Sequence, residues 1–311
     1  MEIALTLDSV SKNFGDFKAV DDVSFEIPAG IICGFLGPNG AGKTTTIRMI
    51  LEILRPSAGS ITVLGAPSAL EVRDRIGYLP EEKGLYKKMT AVGIITYFAT
   101  LKGMRTSTAR KKARALLEQY GLGDFADSKC EALSKGMSQK VQVLASMVHD
   151  PEFVILDEPF SGLDPVNQQV MEEVIRDMRK RGATVIFSTH VMSHAERICE
   201  RILLMAKGKI IFDGSIADAR RTIPRRVLIS TDASIEALLG VEGVLGSRRP
   251  DGEEDSGSWE ILIDDDLDPQ ELLRSAFDNG IALESFQHSE PTLHDVFVHL
   301  VGDDAKIAEA R

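Results

Sequence analysis

The chain has 311 residues, of which 43% are hydrophobic and 27% are charged, an ordinary balance for a globular protein with a sizeable core and room for two domains. Acidic residues outnumber basic ones by 47 to 36, which gives a net charge of −11. This excess argues against a broad nucleic-acid-binding surface, since such a surface needs concentrated positive charge, and we expect no nucleic-acid partner.

The first elements along the chain are predicted strands at residues 5–7 and 20–27, separated by a turn at 13–16. Phe14 lies in this turn, where an aromatic ring can stack on a nucleotide base. A phenylalanine that closes the core fits the position equally well. Later motifs have to decide between these two interpretations.

A phosphate-binding loop lies between the apolar run 31–36 and a helical pattern at 46–54. The spacing G-x-x-x-x-G-K-T allows turns that point successive backbone N–H groups at anionic oxygens. Lys43 supplies a point charge for phosphates, and the Thr44 hydroxyl can ligate Mg²⁺. A chance glycine-rich turn is the alternative, and the order strand, loop, helix argues against it. The predicted loop residues are Gly37, Pro38, Asn39, Gly40, Ala41, Gly42, Lys43, Thr44 and Thr45.

Helical patterns dominate from residue 90 to 148, which predicts a helical insertion in an α/β domain. Glu81 precedes it, in an acidic loop that follows a short strand. Ser134 and Gly136 lie in a small-residue turn that opens a predicted helix at 138–148. They can present a hydroxyl and backbone N–H groups to an anion at the helix N-terminus, although an ordinary helix cap is the commoner role.

Two carboxylates follow the fully apolar strand 153–156. Because ligands of open α/β sheets bind at the carboxyl ends of the strands, we expect Asp157 and Glu158 at the ligand-binding edge. Asp157 can hold Mg²⁺, and Glu158 can orient and deprotonate an attacking water. A solvated pair of acids is the alternative, which the unbroken apolar run disfavours. Asp164 is the predicted N-cap of the next helix.

His190 follows a further buried strand, 185–189. A lone histidine at a strand end is commonly a structural residue with its hydrogen bonds satisfied. In an ATPase this position would allow it to contact a γ-phosphate. Its role therefore depends on its neighbours.

A basic, proline-containing break at 220–226 predicts a linker to a second domain. Strands and helices alternate beyond it, which suits a small α+β domain of ferredoxin-like type. The predicted strands are 227–230, 259–263 and 282–287, and the predicted helices are 234–239, 269–278 and 292–301. We therefore expect a first domain over residues 1–220 with its helical subdomain at about 90–148, an accessory domain over 227–302, and a tail over 303–311.

The cysteines and the apolar runs predict the compartment. Cys33, Cys130 and Cys199 are far apart and form no C-x-x-C pair, so we expect free thiols in a reducing environment. The N-terminus lacks the pattern of a signal peptide, and no apolar run approaches the ~20 residues that cross a bilayer. The sequence predicts a cytoplasmic protein, whose membrane role depends on a partner.

The order of these motifs over residues 5–213 resembles the nucleotide-binding subunit of an ATP-binding cassette (ABC) transporter. The resemblance implies a P-loop NTPase fold with a mixed sheet and a helical subdomain, and a head-to-tail dimer that binds two ATP with Mg²⁺. It implies that Phe14 stacks on adenine and that residues 37–45 bind the phosphates. It further implies Glu158, His190 and Lys43 as catalytic residues, Thr44, Asp157 and Glu81 as metal ligands, and Ser134, Gly136 and Asp164 as contacts to the ATP of the partner.

Two positions depart from the family pattern. The signature L-S-G-G-Q is here L-S-K-G-M, so that Lys135 adds a cation. Glu81 stands where the family has the Q-loop glutamine, and its carboxylate adds negative charge near the expected metal. A carboxylate can still ligate Mg²⁺.

Within that family, the stretches 77–82, 133–139 and 291–297 and the small C-terminal domain are similar to the ATPases of type-2 exporters, the sodium-efflux and daunorubicin/doxorubicin-resistance group. This second resemblance implies a separate integral-membrane permease. The C-terminal domain then has three open roles: dimer support, which we favour, clamping of the permease, or binding of a regulator.

The sequence thus predicts an ATPase that powers efflux through a permease on the cytoplasmic face of the membrane, as a homodimer or as a heterodimer with a related ATPase. A soluble ABC ATPase acting on ribosomes or DNA is a rival, which predicts two cassettes, a long coiled coil or zinc-binding cysteines. A non-hydrolysing nucleotide sensor is another, and the presence of Asp157, Glu158 and His190 argues against it.

Overall fold

The computed structural model describes residues 2–81, 84, 86–249 and 257–302. The chain divides into two compact units, Met1–Ser215 and Ile216–Arg311. Within the described residues, every helix is too short or too polar to span a bilayer.

The first unit alternates strands and helices over most of its length. Its strands are β1 (Ile3–Phe14), β2 (Phe17–Pro28), β3 (Ile32–Leu36), β4 (Ala58–Val63), β5 (Ile76–Leu79), β6 (Phe153–Asp157), β7 (Thr184–Thr189), β8 (Arg201–Ala206) and β9 (Lys209–Gly214). Its helices are α1 (Lys43–Ile50), α2 (Ala91–Leu101), α3 (Thr106–Gln119), α4 (Lys135–Met147), α5 (Pro165–Lys180) and α6 (Met192–Ile198).

A six-stranded sheet with the order β5-β6-β7-β3-β8-β9 forms the centre of this unit, parallel except for β9. Strands β3, β6 and β7 are buried along their whole length, which explains why their sequences are mainly apolar. An antiparallel sheet, β2-β1-β4, shares a hydrophobic core with it. The mixed sheet confirms the predicted P-loop fold class.

Register places the predicted motifs at one edge of the large sheet. Leu36 pairs with Thr189, and Asp157 pairs with Ser188. The phosphate loop after β3, the carboxylates at the end of β6 and the histidine after β7 therefore emerge side by side.

The helical insertion consists of α2, α3 and α4, which pack on one another. Thr90 caps α2 by accepting a hydrogen bond of 3.1 Å from the Gly93 N–H. Helix α4 begins at Lys135, three residues before the predicted start, because Ser134 caps it and the small residues that follow are compatible with a first turn.

The second unit has the element order α7 (Ile216–Arg220), β10 (Arg225–Ser230), α8 (Glu236–Leu239), β11 (Val244–Arg248), β12 (Ser258–Ile263), α9 (Pro269–Asp278), β13 (Ser285–Ser289) and α10 (Leu293–Val301). Its sheet has the antiparallel order β11-β12-β10-β13. This βαββαβ arrangement is the predicted ferredoxin-like topology. Strand β11 was not predicted, since Gly246 interrupts its pattern and coincides with a register shift. Residues 250–256 and the predicted tail 303–311 lie outside the described residues.

Candidate functional site

A cavity of about 390 Å³ lies at the carboxyl edge of the large sheet. It brings together the β1–β2 hairpin, the phosphate loop, and single residues that follow β5 and β6. The lining residues are Phe14, Phe17, Ala19, Asn39, Gly40, Ala41, Gly42, Lys43, Thr44, Thr45, Glu81 and Glu158. Ten of these were predicted as site residues. The remaining loop residues, Gly37 and Pro38, accept hydrogen bonds from the Lys43 ammonium through their carbonyl oxygens.

The backbone of the phosphate loop requires glycine at its ends. A Cβ on Gly37 would collide with the carbonyl oxygen of Met205, and a Cβ on Gly42, whose φ is 108°, would lie 2.6 Å from the Ala19 oxygen. Lys43 is 6% exposed, and its Nζ donates to the carbonyl oxygens of Gly37 (2.7 Å) and Pro38 (3.1 Å). The ammonium is thus held inside the loop.

Three carboxylates oppose the desolvation of this lysine. Burial lowers the pKa of Lys43, while Glu158, Asp157 and Glu81 raise it, in that order of strength. The cavity is therefore a place of mixed charge, in which one buried cation faces several acids. A bound anion would be attracted by the Lys43 ammonium, and a bound cation would be attracted by the carboxylates.

Two phenylalanines line the entrance of the cavity. Phe14 and Phe17 are paired across the turn of the β1–β2 hairpin, and Phe14 is 51% exposed. The Lys12 Nζ lies 5.3 Å from the ring centroid of Phe14, a cation–π contact on one face. The other interpretation of Phe14, a core residue, is excluded by its exposure. Phe17 was not predicted, and its position opposite Phe14 depends on the pairing across the hairpin turn.

Asp157 and Glu158 have different surroundings although they are neighbours. Asp157 is 1% exposed, and its Oδ1 accepts a short hydrogen bond from the Ser188 hydroxyl. The Glu158 N–H donates to the same hydroxyl at 3.0 Å. The Asp157 Oδ2 is buried without a hydrogen-bond partner among the described residues. A buried, unpartnered carboxylate oxygen is costly, so the position suits a cation, and oxygen donors are the ligands that Mg²⁺ prefers.

Glu158 is held in an unusual conformation beside a histidine. Its φ is 50°, in the left-handed region, where a residue other than glycine costs on the order of 1–3 kcal/mol. The His190 Nδ1 lies 2.9 Å from the Glu158 Oε1. Since such strain is concentrated at functional sites, the pair is the strongest candidate for the reactive groups.

Asp157 and His190 lie beside the cavity and are not among its lining residues. The other predicted residues, Ser134, Gly136 and Asp164, also lie outside the lining, in what we call the signature cluster: residues 134–136, 162–164 and Asn167. Ser134 caps α4 and accepts from the Met137 N–H at 3.2 Å. Asp164 caps α5 and accepts from the backbone N–H of Asn167 at 2.9 Å. A Cβ on Gly136 would lie 2.8 Å from the Asn167 Nδ2, and the end of the Lys135 side chain lies against Gly162.

Sequence reasoning missed Ser188 and Gln139 as site residues. The Ser188 hydroxyl donates to the Asp157 carboxylate and accepts from the Glu158 backbone N–H. The Gln139 Nε2 donates to the Pro159 carbonyl oxygen at 3.1 Å and so joins α4 to the loop after β6. The available signal for Ser188 was a small polar residue in an otherwise apolar strand end. No local signal pointed to Gln139.

Known proteins resemble the chain over nearly its whole length. The family model "ABC transporter" matches residues 20–161, and "ATP-binding protein DrrA1-3-like, C-terminal domain" matches residues 214–301. The uncharacterized ABC transporter ATP-binding protein YhaQ of Bacillus subtilis is 40% identical over 299 residues, which cover 96% of this chain and 98% of YhaQ. The daunorubicin/doxorubicin resistance ATP-binding protein DrrA of Streptomyces peucetius is 30% identical over 320 residues, covering 99% and 96%. A solved structure of an ATP binding subunit of an ABC transporter superposes with a TM-score of 0.65 at 29% identity, covering 70% of this chain and 92% of that one.

Proposed function

The chain belongs to the ABC transporter family as an ATP-binding, ATP-hydrolysing subunit, and from this premise we propose that it powers an exporter through a separate integral-membrane permease. The observation that carries the proposal is the Glu158–His190 pair, 2.9 Å apart, at a cavity built on a phosphate loop. The match of residues 214–301 to a DrrA-like C-terminal domain supports export, since the relative DrrA is described as a drug-resistance protein.

ATP binds, in this proposal, with its base on Phe14 and its phosphates in the loop. Lys12 occupies one face of the Phe14 ring, so the adenine stacks on the opposite face. The loop glycines leave the backbone N–H groups accessible to phosphate oxygens, with the N-terminus of α1 behind them. Lys43 exchanges its bonds to the loop carbonyl oxygens for the β- and γ-phosphates.

Mg²⁺ would be held by Thr44, Asp157 and Glu81. Thr44 and Glu81 line the cavity, and the unpartnered Oδ2 of Asp157 is the donor that gains most from a cation. When bound, the metal neutralises phosphate charge that develops during the reaction. Ser188 holds the other Asp157 oxygen and so fixes the direction of the free one.

Hydrolysis proceeds by in-line attack of water on the γ-phosphate. Glu158 orients this water and accepts its proton, and His190 holds Glu158 through Nδ1 while its other ring nitrogen steadies the γ-phosphate. Lys43 stabilises the charge that accumulates on the phosphate oxygens. The left-handed backbone at Glu158 aims the carboxylate into the cavity.

The signature cluster completes the site of a second subunit. Ser134, Gly136 and Asp164 do not line the cavity of their own chain, which supports a head-to-tail dimer with two ATP and two Mg²⁺ at the interface. Such a dimer forms between two copies of this chain or with a related ATPase. In either case each chain contributes its ATP cavity to one composite site and its signature cluster to the other.

The permease docks, in this proposal, on a groove of about 300 Å³ between the helical insertion and the segment at the end of β5. Its walls are largely apolar. They remove water from two basic side chains, and this burial lowers the pKa of His149 to about 4 and also lowers the pKa of Lys102. The exposed rings of Tyr86 and Tyr97, in edge contact, lie next to Phe98 of this groove. A helix of the permease, with an apolar face, fits this surface, and the Glu81 loop links it to the ATP cavity. The lining residues are Tyr78, Leu79, Pro80, Gly84, Phe98, Lys102, Gln142, Ala145, Ser146 and His149.

Co-purification of the tagged chain from its native membranes, with ATPase assayed on the bound fraction, tests this function. We expect recovery of a multi-spanning membrane protein, which places the chain on the cytoplasmic face through that partner. Phe98→Ala should reduce the recovery, whereas Phe125→Ala, an exposed ring outside the groove, should not. Recovery of ribosomes or nucleic acid in place of a membrane protein would contradict the proposal.

A further inference from the structure

His194 lies on α6, four residues after His190, and its ring stacks on Phe160. The ring centroids are 4.2 Å apart and the planes meet at 13°. His194 is 4% exposed and Phe160 is 3% exposed. Because Phe160 follows Glu158 by two residues, the segments of the reactive pair are joined twice: by the hydrogen bond between Glu158 and His190, and by this stack.

The stack continues into the central sheet. The ring of Phe160 meets the edge of Phe187, with centroids 5.6 Å apart and planes at 78°. Phe187 belongs to β7, the strand that leads directly to His190. Three rings in contact therefore connect α6, the loop that carries Glu158, and the strand before His190.

Helix α6 depends on such contacts for its position. It has seven residues, too few for a stable helix in isolation. On its outer side, the Arg197 Nη1 lies 3.3 Å from the Glu172 Oε1 of α5. On its inner side it lies close to β3, since a Cβ on Gly34 would be 3.3 Å from the Ala195 Cβ. Neither contact touches the loop that carries Glu158, and the stack does.

A histidine is an expensive residue for mere filling of this space. Its Nδ1 is buried without a hydrogen-bond partner among the described residues, which costs free energy that an apolar ring would not lose. Burial, with Arg197 and His190 nearby, lowers its pKa to about 4, so the ring is neutral near pH 7. The parallel geometry of the stack is that of two flat rings in face contact.

We propose that His194 is a positioning residue for hydrolysis: its stack on Phe160 fixes the first turn of α6 against the loop that carries Glu158, and so keeps His190 within hydrogen-bond distance of Glu158. The inference rests on the roles proposed above for Glu158 and His190. Loss of the stack lets the two segments shift independently, and a misplacement of about 1 Å at reacting groups can cost up to about 10²-fold in rate.

The test compares His194→Ala, which removes the stack, with His194→Phe, which keeps a flat ring. Steady-state ATPase activity of each purified full-length protein is measured at one temperature, well below the melting temperature of the least stable variant. We expect His194→Ala to lower kcat about tenfold or more with the KM for ATP nearly unchanged, because positioning acts on the transition state. His194→Phe should retain a kcat within about threefold of the wild type, since it restores the stack.

Two further variants guard against a loss of folding. Phe160→Leu removes the stack from the other side and should lower kcat in the same way. Val23→Ala, in the core and away from the site, lowers the melting temperature without touching α6 and should keep its kcat. Suppose that Val23→Ala and His194→Ala lower the melting temperature to the same extent. If Val23→Ala then also lowers kcat, the loss in His194→Ala reflects stability and the inference is wrong.

The inference also fails if His194→Ala keeps its kcat, or if His194→Phe loses as much as His194→Ala. Its failure can be told from a failure of the proposed function. Normal turnover of Glu158→Gln would refute the catalytic assignment whatever the His194 variants do. Inactive Glu158→Gln together with unchanged His194→Ala would refute the positioning role alone.

Discussion

The ATP cavity and the signature cluster differ in how their polar groups are satisfied. Glu158, which lines the cavity, is left-handed, and its buried neighbour Asp157 has a carboxylate oxygen without a partner among the described residues; both features cost stability. In the signature cluster, Ser134 and Asp164 are ordinary helix caps whose hydrogen bonds stay within the chain. Of these two regions, only the one around the carboxylates combines a left-handed residue with an unpartnered buried carboxylate oxygen, whereas the caps of the signature cluster are satisfied within the chain.

This difference has a consequence for the folded chain alone. The reactive groups are assembled within one subunit, so ATP binding needs no partner in our proposal. The signature cluster supplies further hydrogen bonds only when a second subunit arrives. Binding and hydrolysis should therefore be separable by substitutions in the two regions.

The largest effect is expected for Glu158→Gln. The amide keeps the size of the side chain but cannot accept a proton, so turnover should fall ~10²–10⁴-fold while ATP binding persists. Steady-state ATPase and equilibrium binding of ATP measure the two effects. Glu152→Gln, which alters an exposed carboxylate paired with Arg75, is the matched control and should keep its activity. Near-normal turnover of Glu158→Gln would rule out the proposed base.

The next effect tests whether the signature cluster acts on the partner subunit. Ser134→Ala should reduce turnover on the order of 10–10²-fold, because a hydrogen bond to a charged group contributes about 1.5–3 kcal/mol. Lys43→Ala should be inactive because its own phosphate site is lost. Mixing the two impaired variants should raise activity above that of either, since a mixed head-to-tail dimer contains one site with an intact Lys43 and an intact Ser134.

The mixing experiment has a clear opposite outcome. If Ser134 acts on the ATP of its own chain, each site of the mixture carries one defect, and activity stays at the average of the two variants. A mixture of Lys43→Ala with Glu158→Gln is the control. Both of these residues line one cavity, so a mixed dimer has no intact site and activity should not return.

A smaller effect is expected at Phe14. Removal of the ring in Phe14→Ala should raise the KM for ATP roughly 2–10-fold with kcat unchanged, as expected for about 0.5–1.5 kcal/mol of stacking lost equally in ground and transition states. Phe14→Tyr keeps the ring and should behave like the wild type. An unchanged KM in Phe14→Ala would mean that the base binds elsewhere, for example on Phe17.

Sequence patterns predicted those parts of the site that depend on local spacing and on strand ends. The phosphate loop, the carboxylates after β6 and His190 after β7 were placed correctly at one edge, because parallel strands bring their carboxyl ends together. The ferredoxin-like order of the second unit followed from the alternation of strands and helices. These features need no knowledge of tertiary contacts.

The remaining features depend on register and on packing between distant segments. Ser188 reaches Asp157 only because β6 and β7 pair as they do, and Gln139 reaches Pro159 only because α4 packs on that loop. His194 becomes visible only through its contact with Phe160. Strand β11 was missed because one glycine and a register shift obscure its pattern.

The last prediction concerns stability with no expected change in turnover, at His149, two residues beyond the end of α4, the helix that begins at the signature cluster. Burial, reinforced by the charge of Lys102, lowers its pKa to about 4, whereas an unfolded chain binds the proton near 6.5. Between these values the unfolded state binds more protons, so the free energy of unfolding falls as the pH falls from about 6.5 to 4. His149→Gln, which can still donate to the Ile76 carbonyl oxygen, should make that fall shallower by about 1–2 kcal/mol, and His194 should account for part of what remains. Urea denaturation of the wild type and of His149→Gln across this pH range measures the difference. If the free energy of unfolding depends on pH in the same way for both proteins, the groove does not hold His149 neutral. That result would also count against walls suited to an apolar permease helix.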